Sequence, residues 1–357
     1  MICLGFDTSN YTTSVASYDG RQAVNCSRLL PVEQGALGLR QSEALFSHVK
    51  RLPELSDRLF AQLDPKTIQA VGVSTRPRAV EGSYMPCFLA GESQARVLAA
   101  ALHLPLYCFS HQQGHIAAVI WSAGRMDLLG QDLLAWHLSG GTTELLLVHS
   151  TPAGDIDCQK IGGTTDISAG QLIDRTGQLL GLDFPAGKAL DLLAAGNRRQ
   201  ATGTAGGSAP DAPGASTAEA VIGCPQEAPA SQPFHSERSE ESASQPFRKE
   251  YFKVKVNGCE FSLSGVQNQV QNYRAKGASD AETAYFALRS VVEAVKKATK
   301  NAKKEYPLPV LFSGGVASNS MLRRAIPEAI FGAPQYSTDN GAGIAVLTWL
   351  KHKDHKI

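Results

Sequence analysis

Leu133-Leu134-Ala135-Trp136-His137-Leu138 runs into Ser139-Gly140-Gly141-Thr142, and then Thr143 to His149, Thr151-Pro152-Ala153-Gly154 and Asp155 to Lys160 follow. This pattern specifies an apolar strand, a small-residue loop and a hairpin with a Pro/Gly turn. The same order stands at the start of the chain. Ile2 to Phe6 meets Asp7-Thr8-Ser9-Asn10, then Thr12 to Tyr18, the turn signal Asp19-Gly20 and a strand-like run from Gln22 to Leu29. Helical periodicity follows each copy. It covers Leu45 to Leu63, with a break predicted at Pro53, and Gln171 to Leu180.

A duplicated unit with a loop behind each first strand is the layout of the actin, sugar-kinase and Hsp70 class. There two loops face each other across a cleft and backbone N–H groups hold phosphate. The plain alternative is two ordinary hairpins, each opening a domain. The predicted fold is α/β, actin-like (ASKHA) and two-lobed, built on a βββαβαβα repeat. Residues 1–127 form the first lobe and 128–340 the second, and a helix over 341–357 packs back on the first. Within the second lobe, 197–249 is rich in Ala, Gly, Ser, Pro and Glu, with only Val221, Ile222, Phe234 and Phe247 as large apolar residues. Such a segment buries too little to offset the entropy of ordering it, so a disordered insertion is expected. Ala-Ser-Gln-Pro-Phe occurs in it twice, at 230–234 and 243–247.

The 357 residues carry a net charge of +1, which excludes a strongly basic nucleic-acid binder while permitting a local basic face. No apolar run approaches the ~18 residues of a membrane span, and Met1 to Gly5 opens no signal peptide. The seven cysteines include no CxxC pair, so neither a zinc ribbon nor a disulfide framework is indicated. A reduced, cytoplasmic protein is expected.

His111-Gln112-Gln113-Gly114-His115 follows a strand-like Leu104 to Phe109. On a helix, imidazoles at i and i+4 share a face and reach one metal ion, although by itself this spacing defaults to two solvent-facing or core-satisfied histidines. Gln112 stands where a metalloprotease needs its Glu, so that peptidase mechanism is unsupported. Ser139 to Thr143 and Phe312-Ser313-Gly314-Gly315-Val316 are glycine loops behind strands, and neither fits the dinucleotide or P-loop pattern. Asp166, Asp174, Asp183 and Asp191 surround Gly181 to Gly187 and suit ribose hydroxyls, while Asp166 also suits a cap on the next helix. Asp339, in Thr338-Asp339-Asn340 ahead of the apolar run Gly341 to Leu350, fits an N-cap or a third metal ligand.

Taken in order, these segments resemble the threonylcarbamoyl-transferases that make N6-threonylcarbamoyladenosine in tRNA. The resemblance rests on Gly5-Phe6-Asp7-Thr8-Ser9, His111 to His115, Ser139 to Thr143, Ile173-Asp174-Arg175 with Leu180 to Gly187, Phe261-Ser262-Leu263-Ser264-Gly265, Gly314-Gly315-Val316-Ala317-Ser318-Asn319 and Thr338-Asp339-Asn340. It implies His111, His115 and Asp339 as ligands of one divalent ion, iron(II) or zinc. It also implies that Ser139, Gly140, Gly141, Thr142 and Thr143 surround the transferred group, and that Asp174, Gly187, Asp191 and Asn319 hold the nucleotide. The implied substrates are threonylcarbamoyl-AMP and adenosine 37 of tRNA. The implied partners are an actin-like companion subunit and a small ATPase of the bacterial pathway.

The chain departs from the family pattern where Cys-Asp-Glu-Thr becomes Asn10-Tyr11-Thr12-Thr13, where Thr142 replaces His, and where Gly-Pro-Gly-Leu becomes Arg76-Pro77-Arg78-Ala79. Arg175 and Gln267 each replace Lys. This is the pattern of a divergent bacterial paralogue. The alternatives are a paralogue that carbamoylates another acceptor and a non-catalytic nucleotide-binding subunit of a tRNA-modification complex. Arg76 and Arg78, or Lys296, Lys297, Lys300, Lys303 and Lys304 on one helix side, are the candidate tRNA contacts.

Overall fold

A computed structural model describes residues 1–9, 11–32, 39–196, 247–338 and 341–355. β1 (Ile2–Asp7), β2 (Thr12–Tyr18) and β3 (Ala23–Leu29) form an antiparallel meander. β4 (Ile68–Arg76) and β5 (Leu106–Ser110) join β1 in parallel, giving the sheet order β3-β2-β1-β4-β5. In the second sheet β6 (Leu133–Leu138), β7 (Thr143–Ser150) and β8 (Ile156–Thr164) repeat the meander. A short hairpin, β9 (Val256–Asn257) and β10 (Glu260–Phe261), extends it beyond β8. β11 (Val310–Ser313) and β12 (Ile330–Phe331) add in parallel to β6, so β12-β11-β6-β7-β8 has the order and sense of the first sheet. The duplication predicted from two strand–loop segments is therefore a duplication of whole five-stranded sheets.

The helices are α1 (Gln41–Phe60), α2 (Phe88–Ala101), α3 (His111–Ser122), α4 (Ala169–Leu179) and α5 (Gly187–Ala194). They continue with α6 (Ser264–Ala275), α7 (Asp280–Glu305), α8 (Ser320–Ala325) and α9 (Ala342–Asp354). Central strands sandwiched by helices are buried on both faces and read as continuous apolar runs. β6 is buried at every residue, and Trp136 within it donates its indole N–H to Thr299 Oγ1 of α7 at 2.8 Å. Among the described residues no helix is long and apolar enough to cross a membrane.

Two expectations need correction. Helix α1 runs unbroken through Pro53, because Ala44, His48, Leu52, Leu55 and Leu59 keep one buried stripe along its whole length. The hydrogen bond that proline forfeits falls to the carbonyl of Val49, on the exposed side. The insertion also ends sooner than 249. Residues 197–246 lie outside the described residues, but Phe247 packs edge-on against Tyr285 of α7 at 5.6 Å. Arg248 donates through its backbone N–H and its Nε to Glu282 Oε1, at 3.0 and 3.1 Å.

Glu282 is the third residue of α7 and closes a capping box with Ser279. The Arg248 guanidinium beside it, with the Ser279 and Arg248 N–H groups, holds its carboxyl down at about 2 against an ordinary 4.5. A depressed carboxyl contributes stability that is present above its unfolded pKa and lost as pH falls through the folded one. Glu282→Gln should therefore unfold more easily than the unsubstituted chain at pH 7, and the gap should close between about pH 4.5 and 2. Urea titrations of both proteins across that range measure it. A gap that does not change with pH rejects the account.

Candidate active site at the paired histidines

The C-terminal ends of β1, β4 and β5 come together with those of β6 and β11, the edge at which α/β sheets bind ligands. Helix α3 starts there. Ser110 caps it, accepting from Gln113 N at 3.2 Å while Gln113 Oε1 accepts from Ser110 N at 2.7 Å. Gln112 N donates to Pro77 O at 3.0 Å, which ties the first turn to the loop after β4. Helical spacing then puts His111 and His115 on one face with their Nε2 atoms 2.8 Å apart.

Two further groups belong to this cluster and were not predicted as site residues. Asp7, wholly buried at the end of β1, accepts from His111 Nδ1 at 3.0 Å. His137 of β6 is buried with its ring 4.8 Å from that of His115, and its Nδ1 lies 3.3 Å from Ser313 Oγ. The signals were present as a carboxylate closing an apolar strand and as a lone imidazole within Leu-Leu-Ala-Trp-His-Leu.

Beside the histidines, the Ser139–Thr142 loop closes on itself. Ser139 N donates to Thr142 O at 2.8 Å and Thr142 N to Ser139 Oγ at 3.1 Å. Among the described residues the N–H groups of Gly140 and Gly141 make no such bond. Thr143 is buried, and its hydroxyl accepts from Ala169 N at 2.7 Å, so it anchors the start of α4. The second glycine loop packs against the first. Gly314 has φ +89°, and a Cβ there would lie 2.2 Å from Leu138 O.

Asp174, Gly187, Asp191 and Asn319 line the α4–α5–α8 side. Burial pushes the Asp174 carboxyl above the ordinary range, against the Ala186 N–H that it accepts at 2.9 Å. Gly187 opens α5. Asp191 accepts from Asn319 Nδ2 at 3.0 Å and from Ser320 N at 2.9 Å, while Asn319 Oδ1 caps Leu322 N at 2.9 Å. The start of α8 is thus already met by the protein's own carboxylate. Asp166 does not cap the next helix, whose N-cap is Ser168. It takes the N–H groups of Leu263 and Ser264 instead, at 2.8 and 3.2 Å, and so caps α6.

The departures from the family pattern also have positions. Tyr11 meets Phe184, between α4 and α5, edge-on at 5.6 Å, and Arg78 pairs with Glu144 Oε1 of β7 at 2.8 Å. Lys160 lies 3.5 Å from the same Glu144 oxygen. Arg175 donates to Gln267 Oε1 at 2.7 Å, so two substituted positions pair with each other. Thr12 is buried in β2, and Lys296, Lys297, Lys300 and Lys304 line an exposed face of α7.

Asp339 lies outside the described residues. The chain reaches it from Thr338, beside Gly315, and resumes at Gly341, whose N–H donates to Ser14 Oγ at 2.7 Å. Among the described residues no three His, Cys, Asp or Glu side chains converge as a metal site. The pair His111 and His115 nonetheless fits a metal ion. Nitrogens about 2.0–2.1 Å from one tetrahedral zinc ion lie about 3.3–3.4 Å apart, so these two rings, 2.8 Å apart, reach that spacing by parting about half an ångström.

Fold and site define an actin-like, two-lobed α/β protein with a paired-histidine centre beside two glycine loops. Solved structures bear out the fold alone. Component A of the (R)-2-hydroxyglutaryl-CoA dehydratase of Acidaminococcus fermentans matches with a TM-score of 0.51 and 13% identity, over 99% of each chain. Full-length HypF in its phosphate- and nucleotide-bound form matches at 0.54 and 14%, over 99% of this chain and 46% of that one. The family model described as tRNA N6-adenosine threonylcarbamoyltransferase matches residues 37–209 and 212–346. Proteins of that name from Thermus thermophilus and Carboxydothermus hydrogenoformans are 29% and 26% identical, each over 99% of this chain and 94% and 93% of their own. The chain belongs to the tRNA N6-adenosine threonylcarbamoyltransferase family, a family of transferase enzymes.

Proposed function

We propose that this protein transfers the threonylcarbamoyl group of threonylcarbamoyl-AMP to N6 of adenosine 37 in tRNA. The observation that carries the reading is the convergence of His111 Nε2 and His115 Nε2 beside the Ser139–Thr142 loop. The amine attacks the carbamoyl carbon, a C–N bond forms, the anhydride C–O bond breaks with AMP as leaving group, and the amine proton passes to solvent. His111, His115 and Asp339 would hold iron(II) or zinc, which when bound would supply Lewis-acid polarisation of the carbamoyl oxygen. The Gly140 and Gly141 N–H groups donate to oxygen charge as it develops. Asp174, Gly187, Asp191 and Asn319 form the side on which the adenylate sits. Ser139 and Thr142 hold the loop in shape, and Thr143 fixes it to α4. The reaction needs no protein nucleophile. It takes place in the cytoplasm with tRNA, an actin-like companion subunit and a small ATPase as partners.

A second reading, transfer to another acceptor, is favoured by Arg78–Glu144 and Tyr11–Phe184, since these departures join the first sheet's part of the chain to β7 and to the turn between α4 and α5. One assay separates the two. Anaerobically purified protein, threonylcarbamoyl-AMP, unmodified tRNA and the companion proteins are combined, and the nucleosides are analysed by mass spectrometry. The expected result is threonylcarbamoyladenosine from the unsubstituted chain and none from His115→Ala. No product beside a working family member turns the reading to the other acceptor.

A further inference from the structure

Asp7 is wholly buried, and a carboxylate is kept there only if hydrogen bonds replace its water. Three donors do so. His111 Nδ1 donates at 3.0 Å to Oδ2 and 3.2 Å to Oδ1. Ser9 Oγ donates to Oδ2 at 3.1 Å, and Ser74 Oγ donates to Oδ1. Ser74 and His111 come from fixed elements: Ser74 from β4, which pairs in parallel with β1, and His111 from the capped first turn of α3. Thr8 locks the loop between Asp7 and Ser9 by donating to Cys87 O at 3.0 Å and accepting from Gly91 N at 3.0 Å.

A buried carboxylate on Nδ1 fixes the proton of His111 on that nitrogen and leaves the lone pair on Nε2. That lone pair faces His115 Nε2, on the edge where the two imidazoles converge. Phe88 packs against the ring of His111, 6.1 Å between centroids, so its tilt is limited as well. We propose that Asp7 is the positioning residue of the metal centre: through His111 Nδ1 it sets the tautomer and the aim of the Nε2 donor, with Ser9 and Ser74 holding the carboxylate. The inference rests on the reading of His111 and His115 as metal ligands. A buried, oriented carboxylate behind a ligand histidine raises metal affinity by about 10–100-fold over the variant that lacks it.

Asp7→Asn keeps the shape and removes the charge. Zn2+ affinity is measured by competition with a chromophoric chelator for the full chain, His111→Ala, Asp7→Asn and Ser74→Ala. Thermal unfolding of each metal-free protein is followed alongside. The expected result is no site in His111→Ala, binding about 10–100-fold weaker in Asp7→Asn, and a smaller loss in Ser74→Ala, each measured at a temperature where the metal-free protein is still folded. Co2+ absorption bands altered in Asp7→Asn would mark the changed aim of the donor, which a purely structural role would leave in place. Loss of Zn2+ in His111→Ala with unchanged binding in Asp7→Asn overturns the role of Asp7 and leaves the metal reading standing. Unchanged binding in His111→Ala overturns the metal reading and this inference with it. If Asp7→Asn fails to fold, Ser74→Ala decides, and full affinity there overturns the proposal.

Discussion

Gly343→Ala is expected to force α9 away from α3 and to take the paired histidines out of register. A Cβ at Gly343 would lie 1.9 Å from Gly114 O, 2.7 Å from Gly114 C and 3.0 Å from Ala118 N, all backbone atoms of α3. No rotamer change relieves contacts with backbone, so one helix must move. Gly114 stands between His111 and His115, hence the displacement is felt directly at the site. Alanine improves helix propensity by about 1 kcal/mol over glycine, which works against the clash. Overpacking a close-packed interior costs roughly 1–3 kcal/mol and occasionally more, and a contact below 2 Å with backbone belongs at the top of that range. The net expected loss is about 2 kcal/mol or more, read as a lower urea midpoint, together with weaker Zn2+ binding. Gly114→Ala should be milder, because its Cβ would meet the end of the Ile344 side chain at 2.8 Å, a group able to turn aside. A Gly343→Ala protein as stable as the unsubstituted chain would show that the two helices are not held this closely.

The features legible in the sequence are those that local pattern dictates. Apolar strands ending in small-residue loops announce both copies of the repeat. The paired imidazoles are legible because i,i+4 spacing needs no tertiary information. Pairings across the fold are another matter. Asp7 and His111 become neighbours only once β1, β4 and β5 are laid side by side, and no spacing rule connects them. Asp166 illustrates the same limit: its position ahead of α4 suggests a local cap, yet the N–H groups it accepts belong to α6, much later in the chain. Pro53 misleads in the opposite sense. A strong local breaker is overridden by a buried stripe on the other side of α1. Phe247 and Arg248 read as part of a polar insertion by composition, and only the placement of Tyr285 and Glu282 on α7 reveals that they are anchored.

The glycine loop allows chemistry and architecture to be separated by one methyl group. At Gly141 nothing lies within 4 Å of the point a Cβ would occupy, and its φ is outside the left-handed region, so alanine fits without strain. The fold therefore gives no reason for glycine there. On the proposed function the reason lies with what approaches the loop, since the N–H groups of Gly140 and Gly141 are the two that its internal bonds leave over. A methyl group at the loop surface would hold the transferred group away from those donors, and a displacement of about 1 Å at a reacting centre costs on the order of 10²-fold in rate. Gly141→Ala should thus unfold at the same urea concentration as the unsubstituted chain while transferring about 10²-fold more slowly. Gly170→Ala makes the contrast. Its Cβ would lie 2.4 Å from Ser139 O and 2.5 Å from Gly140 Cα, so that variant should lose stability and transfer together. Full transfer by Gly141→Ala would mean that the group being moved does not lie against this loop, and the assignment of Ser139 to Thr143 would have to be given up even if the paired histidines bind metal.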